Sequence, residues 1–159
     1  METNYFEPDS LMSYYQIHSG DDFVEAYLVK GDFGPAVPKD IKDSYKTAEY
    51  LMAHSYYYWP MYDEAFWKVL AIYEMAIQFR CKELGIELNN KKGWRKNLEI
   101  LHRELIQELK LDQFQYTFEW IRKLRNSQAH PEIHSFGGGL YKTHIELIVK
   151  FIKMIFETK

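Results

Sequence analysis

From about residue 40 onward, apolar positions recur three or four apart with polar residues between them, which is the period of an α-helix. Asp40 is a suitable N-cap for a first helix running to about Trp59, where Pro60 stops it. A second helix is expected over roughly 62–84, with Gly85 as its C-terminal stop. Its apolar residues (Ala65, Phe66, Val69, Leu70, Ile72, Tyr73, Ala76, Ile77, Phe79) cover most of the circumference. Such a helix belongs at the centre of a bundle. After the polar turn IELNNKKGW, a third helix over about 94–110 carries the stripe Leu98, Leu101, Leu105, Leu109. A fourth over about 112–128 carries Phe114, Phe118, Ile121 and Leu124. The last, about 139–157, sets Leu140, Leu147, Ile148, Phe151 and Ile155 against Lys142, Glu146, Lys150, Lys153 and Glu157. The expectation is an all-α, antiparallel up-and-down bundle of about five helices over 41–159.

The first 40 residues break this rhythm. They hold Pro8, Pro35 and Pro38, the turn GDFGPAVP, and one apolar-rich run, FVEAYLV at 23–29. At that length periodicity does not separate a strand from a helical turn, so residues 1–40 read as an irregular N-terminal arm packed on the bundle.

Composition narrows the class. With 47% hydrophobic and 27% charged residues the chain can bury a core and is not a disordered one. Its net charge of −3 lacks the global basic footprint of a general duplex binder, so any nucleic-acid contact must rest on local patches. Cys81 stands alone, which excludes an intramolecular disulfide and a thiolate metal cluster and fits a reducing compartment. METNYFEPDSLMSYY has early acids and no basic-then-apolar leader. No apolar run reaches the ~18 residues of a membrane span. These features lead us to expect a soluble, cytoplasmic protein with no membrane contact.

The informative residues are polar groups on apolar stripes. At about 100° per residue, Phe114 and Ile121 lie within roughly 20° of each other, and Phe118 about 40° to one side. Arg125 falls in the middle of this group, whereas Lys123 points to the opposite face. A guanidinium so directed needs an anionic partner, because an unpaired buried charge is costly. Glu74, in AIYEMAI on the central helix, is the internal candidate, and the bland outcome is a structural salt bridge or an arginine that snorkels out. Five residues on, His130 precedes Pro131, which pushes it out of helical geometry. Asn126 adds a neutral donor and acceptor. An arginine for phosphate, a histidine that titrates near neutrality and an amide form a usable phosphodiester-cleaving set.

The run Arg125-Asn126-Ser127-Gln128-Ala129-His130 resembles the R-x4-6-H motif of HEPN domains, small all-α bundles in which the motif ends a late helix. The helical pattern from about 40 to 158 fits that layout. The resemblance implies a metal-independent endoribonuclease of defence or toxin–antitoxin type, using no cofactor. It also implies a homodimer that joins two motifs in one composite site. His130 would be the general base or acid, Arg125 would neutralise the phosphorane-like transition state, and Asn126 would orient the phosphate or the histidine. Glu74, His134 and His144 are candidate supports. Lys91, Lys92, Arg95 and Lys96 of KKGWRK, with Arg122 and Lys123, are candidate RNA-backbone contacts, or ordinary solvated surface. An antitoxin partner, such as a nucleotidyltransferase protein, is a further expectation.

Two competing readings remain. His130 and His134 are four apart, a helical spacing that could hold a metal with Glu132 or His144, although no third ligand has a fixed spacing. His144, between Leu140 and Leu147, reads better as a hydrogen-bonded core or interface histidine, and His18, His54 and His102 form no constellation. The other class is a non-catalytic helical dimerisation or partner-binding module, which the aromatic run HSYYYWPMY at 54–62 favours if its rings are exposed.

Overall fold

A 23-residue helix organises the molecule. In the computed structural model, which describes residues 4–129 and 137–158, all regular elements among the described residues are helical. The short helices α1 (Leu11–Tyr14) and α2 (Gly20–Tyr27) are followed by α3 (Lys39–His54) and α4 (Met61–Glu83). Then come α5 (Leu98–Leu109), a 3₁₀ turn (Asp112–Phe114), α6 (Gln115–Ala129) and α7 (Leu140–Glu157). Helix α4 packs against α3, α5, α6 and α7. That explains its nearly continuous apolar surface: Ala65, Phe66, Val69, Leu70, Ile72, Tyr73, Ala76 and Ile77 are all buried. The all-α class expected from periodicity is the observed one.

The N-terminal arm differs from its expectation. FVEAYLV lies largely inside or just beyond α2, so it is no strand, and the arm is not irregular throughout. Helix α2 starts because the Ser19 hydroxyl accepts from the Asp22 amide at 3.1 Å, a standard N-cap. Its other stabilisation is tertiary. Phe23 is fully buried, edge-on to Trp59 at 5.5 Å. Burying such a side chain is worth ~2–3 kcal/mol. Two deep tyrosines hold the chain that follows: the Tyr62 hydroxyl donates to the Tyr27 carbonyl at 2.7 Å, and Tyr45 to Val29 at 2.9 Å. Met12, Phe23, Val29 and Val37 belong to the same core as the long helices.

Helix ends also moved. Asp40 is not the cap of α3; Pro38 occupies that position and Asp40 lies in the first turn, where a carboxylate favours the helix dipole. Helix α3 ends at His54, and 55–60 form turns rather than more helix. Helix α5 begins at Leu98, not 94. The Asn97 side chain caps it by accepting from Ile100 N at 3.0 Å, while Asn89 and Arg95 pair across a tight turn.

Candidate functional site

Helices α4, α5 and α6 converge below the 89–96 turn, and a cleft of about 340 Å³ opens between them. Glu74 and Gln78 reach it from α4, Arg122, Arg125 and Asn126 from α6, and Arg95, Lys96 and Glu99 from the turn and α5. The cleft therefore gathers four cations against two carboxylates, in a chain whose net charge is −3.

Arg125 projects from the same side of α6 as Phe118 and Ile121, both of which are buried. It sits where that stripe runs out over α4 and meets Glu74. Its Nε donates to Glu74 Oε2 at 3.0 Å, and Nη2 lies 3.0 Å from the same oxygen. The pair is not sealed: 40% of the arginine side chain and 29% of the glutamate side chain are exposed. Glu74 holds one edge of the guanidinium, so Nη1 has no partner among the described residues. The end-on edge, Nη1 with the second N–H of Nη2, can still present two parallel donors to an oxyanion. Asn126 is exposed beside it.

The other basic residues divide. Arg122, expected as an RNA-backbone contact or as solvated surface, is 22% exposed, lies 3.4 Å from Glu99 and lines the cleft. Lys96 is also largely covered and donates to Glu104 at 2.7 Å, which makes it a poor free contact for a polyanion. Arg95 is exposed and donates to Gln78 at 2.6 Å, a neutral partner that leaves its charge uncompensated. Lys91 and Lys92 are exposed. Lys123 faces away from the cleft and pairs with Glu119 at 3.2 Å.

His130, Pro131, Glu132 and His134 lie outside the described residues, and so does the His-x3-His alternative. Among the described residues, no cluster of three or more His, Cys, Asp or Glu could hold a metal. His144 is not part of the cleft. It packs 4.8 Å from Trp120 and 5.8 Å from Phe66, and its Nδ1 is buried without a hydrogen bond among the described residues. Burial lowers its pKa. The hydrogen-bonded core histidine expected there is thus a ring in an aromatic nest, with one nitrogen unpaired.

Sequence reasoning passed over two residues. His102 is buried between Tyr73 and Phe118 at ring distances of 5.6 and 5.2 Å, with Nε2 unpartnered. Burial, and then the charge of Arg122, lowers its pKa to about 4. The signal was available, because His102 stands four residues after Leu98 and three before Leu105 on the α5 stripe. It borders a second cavity of about 430 Å³ between α5 and α6, on the other side of Glu99 and Arg122. Asp63, in the first turn of α4, is buried at 5% exposure. It accepts from Gly137 N at 3.0 Å and Gly138 N at 3.1 Å, fixing the chain just before α7. Gly138 has φ +50°, a backbone position that suits glycine.

The fold and cleft define an all-α protein with a half-open, arginine-rich cleft between three helices, and no described helix is long and apolar enough to cross a membrane. No family model matches the chain, and no curated protein or solved structure matches it.

Proposed function

We propose that this protein is an RNA-cleaving enzyme of the HEPN type, acting at the Arg125 cleft without a metal. One observation carries the reading: Arg125 is oriented by Glu74 yet keeps a free guanidinium edge, at the rim of a cleft with excess positive charge. A purely structural pair has no need of that geometry, whereas a phosphodiester ligand does. The Arg125-x4-His130 spacing supplies the second group. In the proposed reaction His130 takes the proton of a ribose 2′-OH as that oxygen bonds to the adjacent phosphorus. The bond from phosphorus to the 5′-oxygen breaks, and the leaving oxygen takes a proton from an acid. A second copy's histidine would serve as that acid in a composite homodimeric site. Arg125 neutralises the charge that builds on the non-bridging oxygens, and Asn126 orients the phosphate. The products are a 2′,3′-cyclic phosphate and a 5′-hydroxyl. DNA is not a substrate because it lacks the 2′-OH.

The test is cleavage of single-stranded RNA in EDTA. Wild type should cut. Arg125→Ala should lose about 10²–10³-fold, the scale of removing one preorganised transition-state donor, and His130→Ala should lose at least about 10². Full activity of His130→Ala removes the mechanism. Arg125→Lys keeps the charge without the fork and should recover only part of the rate.

A non-catalytic partner-binding module is the second reading. It is favoured by exposed rings around the N-terminal arm and the α3–α4 turn, with Tyr5, Phe6, Tyr14 and Tyr58 each at least 60% exposed. Wild-type protein that cuts no RNA, alone or with its gene neighbours' products, would favour it. The antitoxin and the defence role belong to the proposal in the same way.

A further inference from the structure

Trp94 is exposed at 72%, whereas Trp59 is buried and Trp67 and Trp120 are partly covered. An indole left in water forgoes the burial that its other copies obtain. It is not displayed on a loose loop. The Asn90 side-chain oxygen accepts from both Lys92 N at 2.9 Å and Trp94 N at 3.0 Å. Asn90 N donates to the Trp94 carbonyl at 2.8 Å, and Gly93 N to Asn90 at 2.9 Å. Gly93 has φ +79°, which closes the turn without strain only because it is glycine. Lys96 N to Leu88 O at 2.9 Å and the Asn89–Arg95 bridge fasten the base of the turn. The backbone is thus built to hold the indole out.

The surroundings say for what. Lys91 and Lys92 flank the ring in sequence, both exposed and without an ion pair among the described residues. Arg95, the next residue, lines the Arg125 cleft. An aromatic face one residue from an arginine-rich cleft, among uncompensated cations, is the arrangement by which proteins hold unpaired nucleotides. The base stacks on the ring while cations track the backbone. A duplex offers no free base faces, and an apolar protein partner has no use for the flanking charges.

We propose that Trp94 is a stacking platform for a base of single-stranded RNA, next to the nucleotide whose phosphate meets Arg125, with Lys91 and Lys92 on the adjoining backbone. This rests on the RNA reading of the cleft. It turns KKGWRK from a set of diffuse charges into a subsite with an aromatic centre.

The probe is a fluorescein-labelled 2′-O-methyl RNA strand of about 12 nucleotides, the length one such groove can span. It has no free 2′-OH, so binding by the full chain is read by anisotropy without cleavage. Trp94→Ala should weaken binding about 5- to 150-fold, the range of one base–aromatic stack. Trp94→Phe keeps a ring and should stay within about threefold. A duplex of the same sequence should bind equally to wild type and Trp94→Ala. Circular dichroism of Trp94→Ala should match wild type, since the ring covers no core. Wild-type affinity in Trp94→Ala, or equal losses in Ala and Phe, overturns the platform. Cleavage of ordinary RNA separates the two proposals. A protein that binds the probe through Trp94 but cuts nothing keeps the platform and loses the nuclease. One that cuts RNA while Trp94→Ala binds normally keeps the nuclease and loses the platform. No binding of the probe overturns the platform, and the nuclease falls with it only where ordinary RNA is also left uncut.

Discussion

Helix α4 carries two carboxylates that each hold a neighbouring element, and they do it in opposite ways. Asp63 is buried and spends both oxygens on the backbone amides of Gly137 and Gly138. Glu74 is partly exposed and spends one oxygen on one edge of Arg125. The first arrangement is closed, because donors and acceptors match and nothing is left over for a ligand. The second is open, because a guanidinium has five N–H groups and a single carboxylate oxygen cannot use them. Burial sets the energy of each: a charge-assisted hydrogen bond away from water is worth far more to the fold than an ion pair in contact with it. The fold is secured where polar groups are matched, and the capacity for chemistry lies where they are not.

The largest effect on stability is therefore expected at Asp63. Asp63→Ala leaves two amides without acceptors and removes a favourable charge from the first turn of α4. At about 1.5–3 kcal/mol for each bond to a charged acceptor, the loss should be about 3–6 kcal/mol. Urea unfolding of the variant reads this directly. A change below about 1 kcal/mol would place Asp63 on the same footing as Glu74 and remove the contrast.

His102 extends the comparison to a group that is buried and unmatched. Its pKa falls from 6.5 in the unfolded chain to about 4 in the fold, through burial and then the Arg122 charge. Above pH 6.5 the ring is neutral in both states and adds no pH dependence. As pH falls below 6.5 the unfolded chain takes up the proton first, so stability drops until the folded ring titrates near pH 4. The whole loss is about 3 kcal/mol at 1.36 kcal/mol per pKa unit, and most of it should be present at pH 4.5. His102→Gln should flatten that part of the curve in urea titrations at pH 7 and 4.5. Parallel curves for the two proteins would show that carboxylates, and not this ring, carry the acid sensitivity.

The sequence made some of this plain. The stripe Leu98, Leu101, Leu105, Leu109 and the all-round apolar surface of α4 depend on local period alone, and both were readable. Arg125 with Glu74 as its candidate partner was readable for the same reason: each is a charge out of place in an apolar pattern. The arm was not, because α2 depends on Phe23 reaching Trp59 and on Tyr62 reaching Tyr27, contacts some 35 residues apart in sequence. The cleft was only half visible. The sequence pattern predicts helix from about residue 94, whereas the Asn90 side chain turns the chain there and swings Arg95 onto Gln78. Arg122 reads from sequence as an RNA-backbone contact or as solvated surface, because its partner, Glu99, lies on another helix. His102 is visible on its stripe but implies no role there, since a histidine among leucines carries no signal of its own neighbours.

The smallest stability effect belongs to Glu74, and it separates the open site from a structural bridge. With the arginine side chain at 40% exposure and the glutamate at 29%, solvent screens the pair, and Glu74→Gln should cost no more than about 1 kcal/mol. Its effect on the cleft has two signs. One fewer carboxylate beside Arg95, Arg122 and Arg125 should tighten binding of an uncleavable RNA strand by about two- to fivefold, more at low salt than at high. Cleavage should fall by about tenfold, because the guanidinium loses the charged anchor that fixes its fork. Tighter binding with slower cutting is the signature of an orienting residue. A Glu74→Gln protein that unfolds as readily as Asp63→Ala would make the pair a fold element. If binding and cutting then stayed unchanged where the protein is folded, Arg125 would be as closed a site as Asp63.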